Sequence, residues 1–141
     1  MENNCVFCKI IRGELPCVKL YEDDKVIVFL DIAPISKGHA LVVPKEHHVS
    51  ITSLPESYRE AMMRVAPDIG AALMRATDSD GFNFLLSNGQ CAGQVVPHVH
   101  LHVIPRKPDD AFSMMPPVKA NYADDAEKEA LAAKVRKRME P

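Results

Sequence analysis

Residues His98-Val99-His100-Leu101-His102-Val103-Ile104 alternate imidazole and aliphatic side chains without a break. In an extended chain, residues i, i+2 and i+4 share a face. The spacing therefore predicts a strand in which Val99, Leu101 and Val103 face a core and the three imidazoles point the other way. Successive rings lie along one line, with their Cα atoms about 6.5–7 Å apart. Pro105 is expected to stop the segment.

Other segments supply partners for that strand. Val26 to Asp31 is β-branched and aromatic, and His39 to Val43 is a second apolar run ending at Pro44. Both read as strands, as does the alternation around Phe82, Phe84 and Leu86. Glu22-Asp23-Asp24, Pro34 to Gly38 and Asp78 to Gly81 read as turns. Ser53-Leu54-Pro55-Glu56 has the S-x-x-E pattern of a helix start. Tyr58, Met62, Val65, Ile69, Leu73 and Ala76 follow at steps of three or four, one face of a long helix. Pro67 should interrupt and kink it. Residues 107–123, with Pro108, Pro116 and Pro117, read as coil. Asp124 to Met139 is acidic first and basic last, the order a helix dipole favours. Its Lys134-to-Arg138 run reads as a solvated helix end. Strands joined by turns, with helices set to one side, make an α+β architecture around an antiparallel sheet.

Composition narrows the functions open to such a fold. The 141 residues suit one domain, and 47% apolar with 26% charged is an ordinary globular mix. Seventeen basic against nineteen acidic residues give a net charge of −2, which argues against a nucleic-acid partner. No apolar run is long enough to span a membrane. Met-Glu-Asn-Asn-Cys has no secretory pattern, so a cytoplasmic protein with reduced thiols is expected. Cys5 and Cys8 then form a C-x-x-C pair suited to metal or redox chemistry. Cys17 and Cys91 read as plain buried small residues.

Two chemistries fit the histidine row. Imidazoles in alternation could hold a catalytic metal. Alternatively, one ring could attack an electrophile while its neighbour handles a proton. The preceding loop, Asn88 to Pro97, carries Gly89 and Gly93. Glycines free the backbone for close approach to an anion, and successive N–H groups can cradle one. An anion-receiving loop beside a histidine row favours phosphoryl chemistry.

The segment His98 to Ile104 resembles the signature of the histidine-triad family, His-φ-His-φ-His-φ-φ with φ apolar. Cys5 to Pro16, Val28 to Ile32 and Gly38 to Lys45 are similar to its nucleotide-binding, Hint-like branch, so the resemblance covers roughly residues 5–107. It implies residues 1–107 as the histidine-triad domain, with 108–141 a helical tail of the same domain. The implied fold is a five-stranded antiparallel sheet with one long helix and a C-terminal helix, pairing into a homodimer with a continuous sheet. The implied activity is hydrolysis or transfer on purine nucleoside phosphoramidates or related conjugates through a nucleotidyl-histidine. His100 would be the nucleophile, supported by His39. His102, Gln94 and Asn88 would lie at the phosphate and Asp31 at the ribose hydroxyls. Phe7, Ile10, Leu15, Phe29 and Ile32 would line the base pocket. Gly93, Val95 and Val96 belong to the loop against the nucleotide.

The resemblance also implies a structural zinc, with no metal at the reaction centre. In some bacterial members the ligands match Cys5, Cys8, His47 and His98 here, with His48 as a neighbouring competitor for His47. A Cys₂His₂ set is a closed, structural type of site. Val95 departs from the branch, which commonly has serine there. Pro105-Arg106 is similar to the dinucleoside polyphosphate hydrolases of the family, and Arg106 would face either a polyphosphate or solvent. Two further readings stand beside the hydrolase: a nucleotide-binding adaptor with vestigial catalysis, and a metalloenzyme with zinc on the triad.

Overall fold

The computed structural model of the chain describes residues 2–113 and 119–139. Pro116 and Pro117, read above as coil, lie outside the described residues. Two compact units, 1–111 and 112–141, are distinguished. The first contains a short helix α1 (Val6–Ile11), strands β1 (Lys19–Glu22), β2 (Val26–Leu30) and β3 (Ala40–Pro44), and the long helix α2 (Glu56–Thr77). Strands β4 (Gly81–Leu85) and β5 (Leu101–Arg106) complete it. The second contains α3 (Asp125–Met139). The strands form one sheet, in order β1-β2-β3-β5-β4, with every pairing antiparallel.

Strands β2 and β3 are apolar at consecutive positions because both of their faces are covered. On one face Val26, Val28, Ala40, Val42, Leu101 and Val103 pack with Ala61, Met62, Val65, Ala66 and Leu73 of α2. On the other, Ile27, Phe29, Leu41 and Val43 pack with Cys5, Phe7 and Cys8 at the start of α1. The register Phe29↔Leu41 and Leu41↔His102 carries the second face across to β5. The helices are thus not all on one side, since α1 covers the face opposite α2. The imidazoles do point away from the α2 core, but into this second packed layer.

Several local expectations change. Cys17 is only half-buried, and Cys91 is exposed because it lies on the surface turn Gln90–Ala92. The ladder of β5 starts at Leu101, not His98, and continues through Pro105 to Arg106. Pro105 is tolerated because β3 begins only at Ala40, opposite Val103. The side of Pro105 that lacks an N–H is therefore not asked for a ladder bond, and its carbonyl accepts from Ser36 Oγ at 2.7 Å. Helix α2 begins after Pro55 with no side-chain cap, while Ser53 Oγ donates to the Ser50 carbonyl instead. The helix also runs through Pro67. That residue is exposed, so the Met63 carbonyl that it leaves without an N–H is on a solvated flank. At Gly70 the helix approaches β4 so closely that a Cβ would lie 2.6 Å from the Phe82 ring. No described helix is long and apolar enough to cross a membrane. In α3, residues Lys134 to Arg138 are all exposed, as the solvated reading expects.

Candidate active site and metal centre

The hydrogen bonds of the histidine rings fix where their lone pairs point. A backbone N–H can only donate, so Ile35 N–H donating to His39 Nδ1 at 3.0 Å leaves the His39 proton on Nε2. His39 Nε2–H then donates to His102 Nδ1 at 2.8 Å, with an Asp31 carboxylate oxygen 3.6 Å away. His102 consequently keeps its own proton on Nε2. A carbonyl can only accept, so His100 Nδ1–H donates to the His98 carbonyl at 2.7 Å. His100 is left with a bare Nε2 lone pair. His98 is the reverse: Nε2–H donates to the Pro44 carbonyl at 2.8 Å, freeing Nδ1.

Burial disfavours the charged form of all four rings. It pushes His39 and His100 below their ordinary 6.5, against the opposing pull of the Asp31 charge. It lowers His98 to about 4, and it lowers His102 to about 4 with help from His100 and His39. Desolvation is the physical cause throughout, since it penalises the imidazolium.

His100 and His102, with ring centroids 4.9 Å apart, line a cavity of about 380 Å³. Of the residues implied by resemblance, Phe7, Ile10, Phe29, Asp31, Ile32, Gly93, Val95 and Val96 line it too. Ile32 and Val95 stand at the rim, 100% and 89% exposed. Val6, Pro16, Cys17, Leu30, Ala33 and Leu41 also contribute. Of these Leu41 was findable, because a β2–β3 hairpin pairs it with Phe29. No lysine or arginine is among the described residues that line the cavity. Asp31 is held by Ala33 N–H at 2.9 Å on one oxygen.

Four expected residues are elsewhere. His39, expected to support His100, is buried and bonds the His102 ring instead, and Leu15 is outside the lining. Gln94 and Asn88 turn their amides onto backbone. Gln94 Nε2 donates to Val49 O at 2.7 Å and its Oε1 accepts from Gly89 N–H at 2.8 Å. Asn88 Oδ1 accepts from Ile51 N–H at 2.9 Å. Both staple the loop to residues 49–51. Gly89 and Gly93 flank the 3-10 turn Gln90–Ala92 at φ 92°, a conformation that glycine adopts without strain. Arg106 does not reach the cavity either. Its guanidinium donates to Asp110 at 2.7 Å and to Asn83 Oδ1 at 2.7 Å.

On the other side of His100 lies a second cluster. His98 Nδ1 is 3.4 Å from Cys5 Sγ, 3.6 Å from Cys8 Sγ and 3.2 Å from His47 Nδ1. Cys8 Sγ is 3.3 Å from His47 Nδ1, and all four ligand atoms lie within 4.8 Å of one another. A tetrahedral zinc with ordinary Zn–S and Zn–N bonds would have ligand edges of about 3.3–3.8 Å, so this donor set fits the ion. Pro44 supplies the outer hydrogen bond that commonly orients such a ligand. His48 turns away to Glu46 at 2.7 Å. Asp31, His39 and His102 also gather their donor atoms. There, however, His39 Nδ1 is occupied by Ile35 and Nε2 carries the proton, so the lone pairs do not converge as a metal would require.

An α+β sheet that lays alternate histidines between a cysteine-histidine cluster and an apolar cavity is a histidine-triad domain. A family profile described as the HIT domain matches residues 12–109, and the chain belongs to that family. It is 51% identical to the adenylylsulfatase HINT3 of Arabidopsis thaliana over 112 residues, which are 79% of this chain and 57% of that relative. The matched part is thus little more than half of that longer protein. It is 43% identical to the adenosine 5'-monophosphoramidase hnt1 of Schizosaccharomyces pombe over 111 residues, 79% and 80% of the two chains. A zinc-bound histidine-triad protein from Mycobacterium smegmatis superimposes with a TM-score of 0.76 at 33% identity, over 98% and 99% of the chains.

Proposed function

We propose that the protein is a nucleotide hydrolase or transferase that cleaves purine nucleoside phosphoramidates or related conjugates through a nucleotidyl-His100 intermediate. The observation that carries this reading is the hydrogen bond of His100: its Nδ1–H is bound to the His98 carbonyl at 2.7 Å, which leaves the Nε2 lone pair free on a ring that lines the cavity. The names of two relatives, an adenylylsulfatase and an adenosine 5'-monophosphoramidase, support the substrate class.

In this reading the base sits between Phe7, Ile10, Phe29 and Ile32, and the Asp31 carboxylate accepts from ribose hydroxyls, a common arrangement at nucleotide sites. His100 Nε2 attacks the α-phosphorus, a P–N bond forms, and the leaving group departs with the bonding pair and a proton from solvent, which the hydrolytic water later gives back. His102 Nε2–H, oriented by His39, donates a hydrogen bond to the phosphoryl oxygens as charge develops. Loop N–H groups near Gly93 and Val96 add to that stabilisation. Water then attacks the same phosphorus, the P–N bond breaks, and a nucleoside monophosphate leaves.

Cys5, Cys8, His47 and His98 would hold a structural zinc, which when bound cross-links α1 to the segments carrying His47 and His98. The reacting centre would use no metal. A homodimer through the free edge of β4, and residues 108–141 as a tail of the same domain, complete the proposal. The cavity lining lacks the cationic residues that a polyphosphate calls for, which disfavours the dinucleoside polyphosphate reading. The adaptor reading rests on Val95, whose side chain offers no hydroxyl at the rim. His100→Ala tests the choice: turnover of adenosine 5'-phosphoramidate should vanish while nucleotide binding stays measurable. Turnover unchanged in that variant would remove the mechanism, and turnover absent from the wild type would favour the adaptor.

A further inference from the structure

We propose that the cysteine–histidine centre positions the nucleophile, with His98 and Phe7 as the positioning residues that carry its occupancy to the His100 ring. This rests on the reading above, in which the centre holds zinc and His100 forms the adduct.

The argument begins with the peptide unit between His98 and Val99. Its carbonyl is the acceptor that keeps the His100 proton on Nδ1. The β5 ladder starts only at Leu101, so sheet pairing does not fix that peptide plane. Two other contacts do. The Val99 N–H, on the far side of the same plane, donates to the His48 carbonyl at 2.8 Å, and His48 follows the ligand His47. The His98 ring is held at Nε2 by Pro44 O and at Nδ1 within the ligand set. Both ends of the plane are therefore anchored to metal ligands or to the residue beside one.

A third contact is independent of these. Phe7 lies between Cys5 and Cys8 in sequence, and its ring meets the His100 ring edge-on at 5.1 Å and the His98 ring at 5.8 Å. Cys5 also caps α1, accepting from Cys8 N–H at 3.5 Å. Drawing the two thiolates onto one ion with His47 and His98 fixes the turn that presents Phe7. An occupied centre thus holds the His100 ring by its acceptor and by its flank. With the centre emptied, the His98–Val99 plane and the Phe7 turn lose their common anchor. The His100 proton can then move to Nε2, and in that tautomer the ring has no lone pair facing the cavity.

The tautomer can be read directly from two-bond and three-bond ¹H–¹⁵N couplings in histidine-labelled protein. Zinc-loaded and chelated samples would be compared, with thermal melts to show that the chelated chain is folded. The loaded protein should show His100 as the Nδ1–H form alone. The chelated protein should show mixed tautomers, with single-turnover nucleotidylation slowed about tenfold or more, the scale on which misorientation acts. Reloading with cadmium should restore both. A chelated, folded protein with unchanged tautomer and single-turnover rate would overturn the proposal. Should chelation unfold the chain, Cys8→His and Cys8→Ser replace it. A rate and tautomer restored by histidine but not serine support the coupling, and equal values in the two variants overturn it. A purified protein that binds no metal, or a loaded one that forms no adduct, would defeat the underlying reading and this one with it. A normal adduct with an insensitive tautomer defeats this one alone.

Discussion

His98 and His100 are two residues apart on one extended segment, yet they offer opposite nitrogens. His98 gives its proton on Nε2 to Pro44 and aims Nδ1 at two sulfurs and His47. His100 donates its Nδ1–H to the His98 carbonyl and keeps Nε2 free on a ring that lines the cavity. The side chains are identical and similarly buried, so the difference comes from where the nearest carbonyl lies. One backbone acceptor frees the first ring's Nδ1, the nitrogen a soft-metal ligand would need, and another frees the second ring's Nε2, the nitrogen a nucleophile would need. Which nitrogen of a histidine is free is set by the partner of the other.

Four experiments would break or sharpen this contrast. The largest effect belongs to the reactive side. His102→Gln should lower kcat for adenosine 5'-phosphoramidate by about 10²–10⁴-fold with a smaller change in KM. A change confined to KM would reduce His102 to substrate binding. On the metal side, removing zinc from a sample at a thousandfold excess over Kd should remove about 4 kcal/mol. That corresponds to a fall in Tm of about 10 °C for a chain of this size, and an unchanged melt would argue against a resident ion.

Acid should act on both clusters in the metal-free protein. His98 and His102 have folded pKa values of about 4 against an ordinary 6.5. Below pH 6.5 the unfolded chain therefore binds more protons than the folded one, and stability rises with pH across that window. Thermal midpoints should be level above about pH 6.5 and fall as pH drops toward 4, with a shallower fall in His102→Gln. The smallest effect is expected at His48, whose side chain makes a surface pair with Glu46. Such pairs are worth roughly 0–1 kcal/mol. His48→Gln should leave zinc content and turnover near wild type, whereas His47→Ala should lower zinc content. Equal losses in the two variants would erase the distinction between them.

Much of this was legible in the chain. Strict alternation from His98 to Ile104 identified the face that carries the rings, because a period of two leaves no other choice. The three- and four-residue steps from Tyr58 to Leu73 found the long helix. The short helix α1 escaped, since six residues show less than two turns of periodicity. Strand β1 escaped as well, because Lys19, Leu20, Tyr21 and Glu22 are all exposed at the sheet edge and carry no burial pattern.

The site divides in the same way. Phe7, Phe29, Asp31 and Ile32 line the cavity. Asn88 and Gln94 do not, because their amides bond to backbone groups 37 and 45 residues away. Local sequence does not specify such partners. Arg106 was drawn off for a related reason: Asp110, one helical turn's distance along the chain, satisfies it.

The central claim is that His100 Nε2 makes the bond to phosphorus. Rapid-quench mixing with a radiolabelled adenosine conjugate, followed by peptide mapping at alkaline pH, tests it directly. The account predicts a transient adenylyl group on Nε2 of His100, formed and lost at rates compatible with turnover. A label on any other residue, or full turnover with no protein-bound nucleotide at any time point, would contradict it.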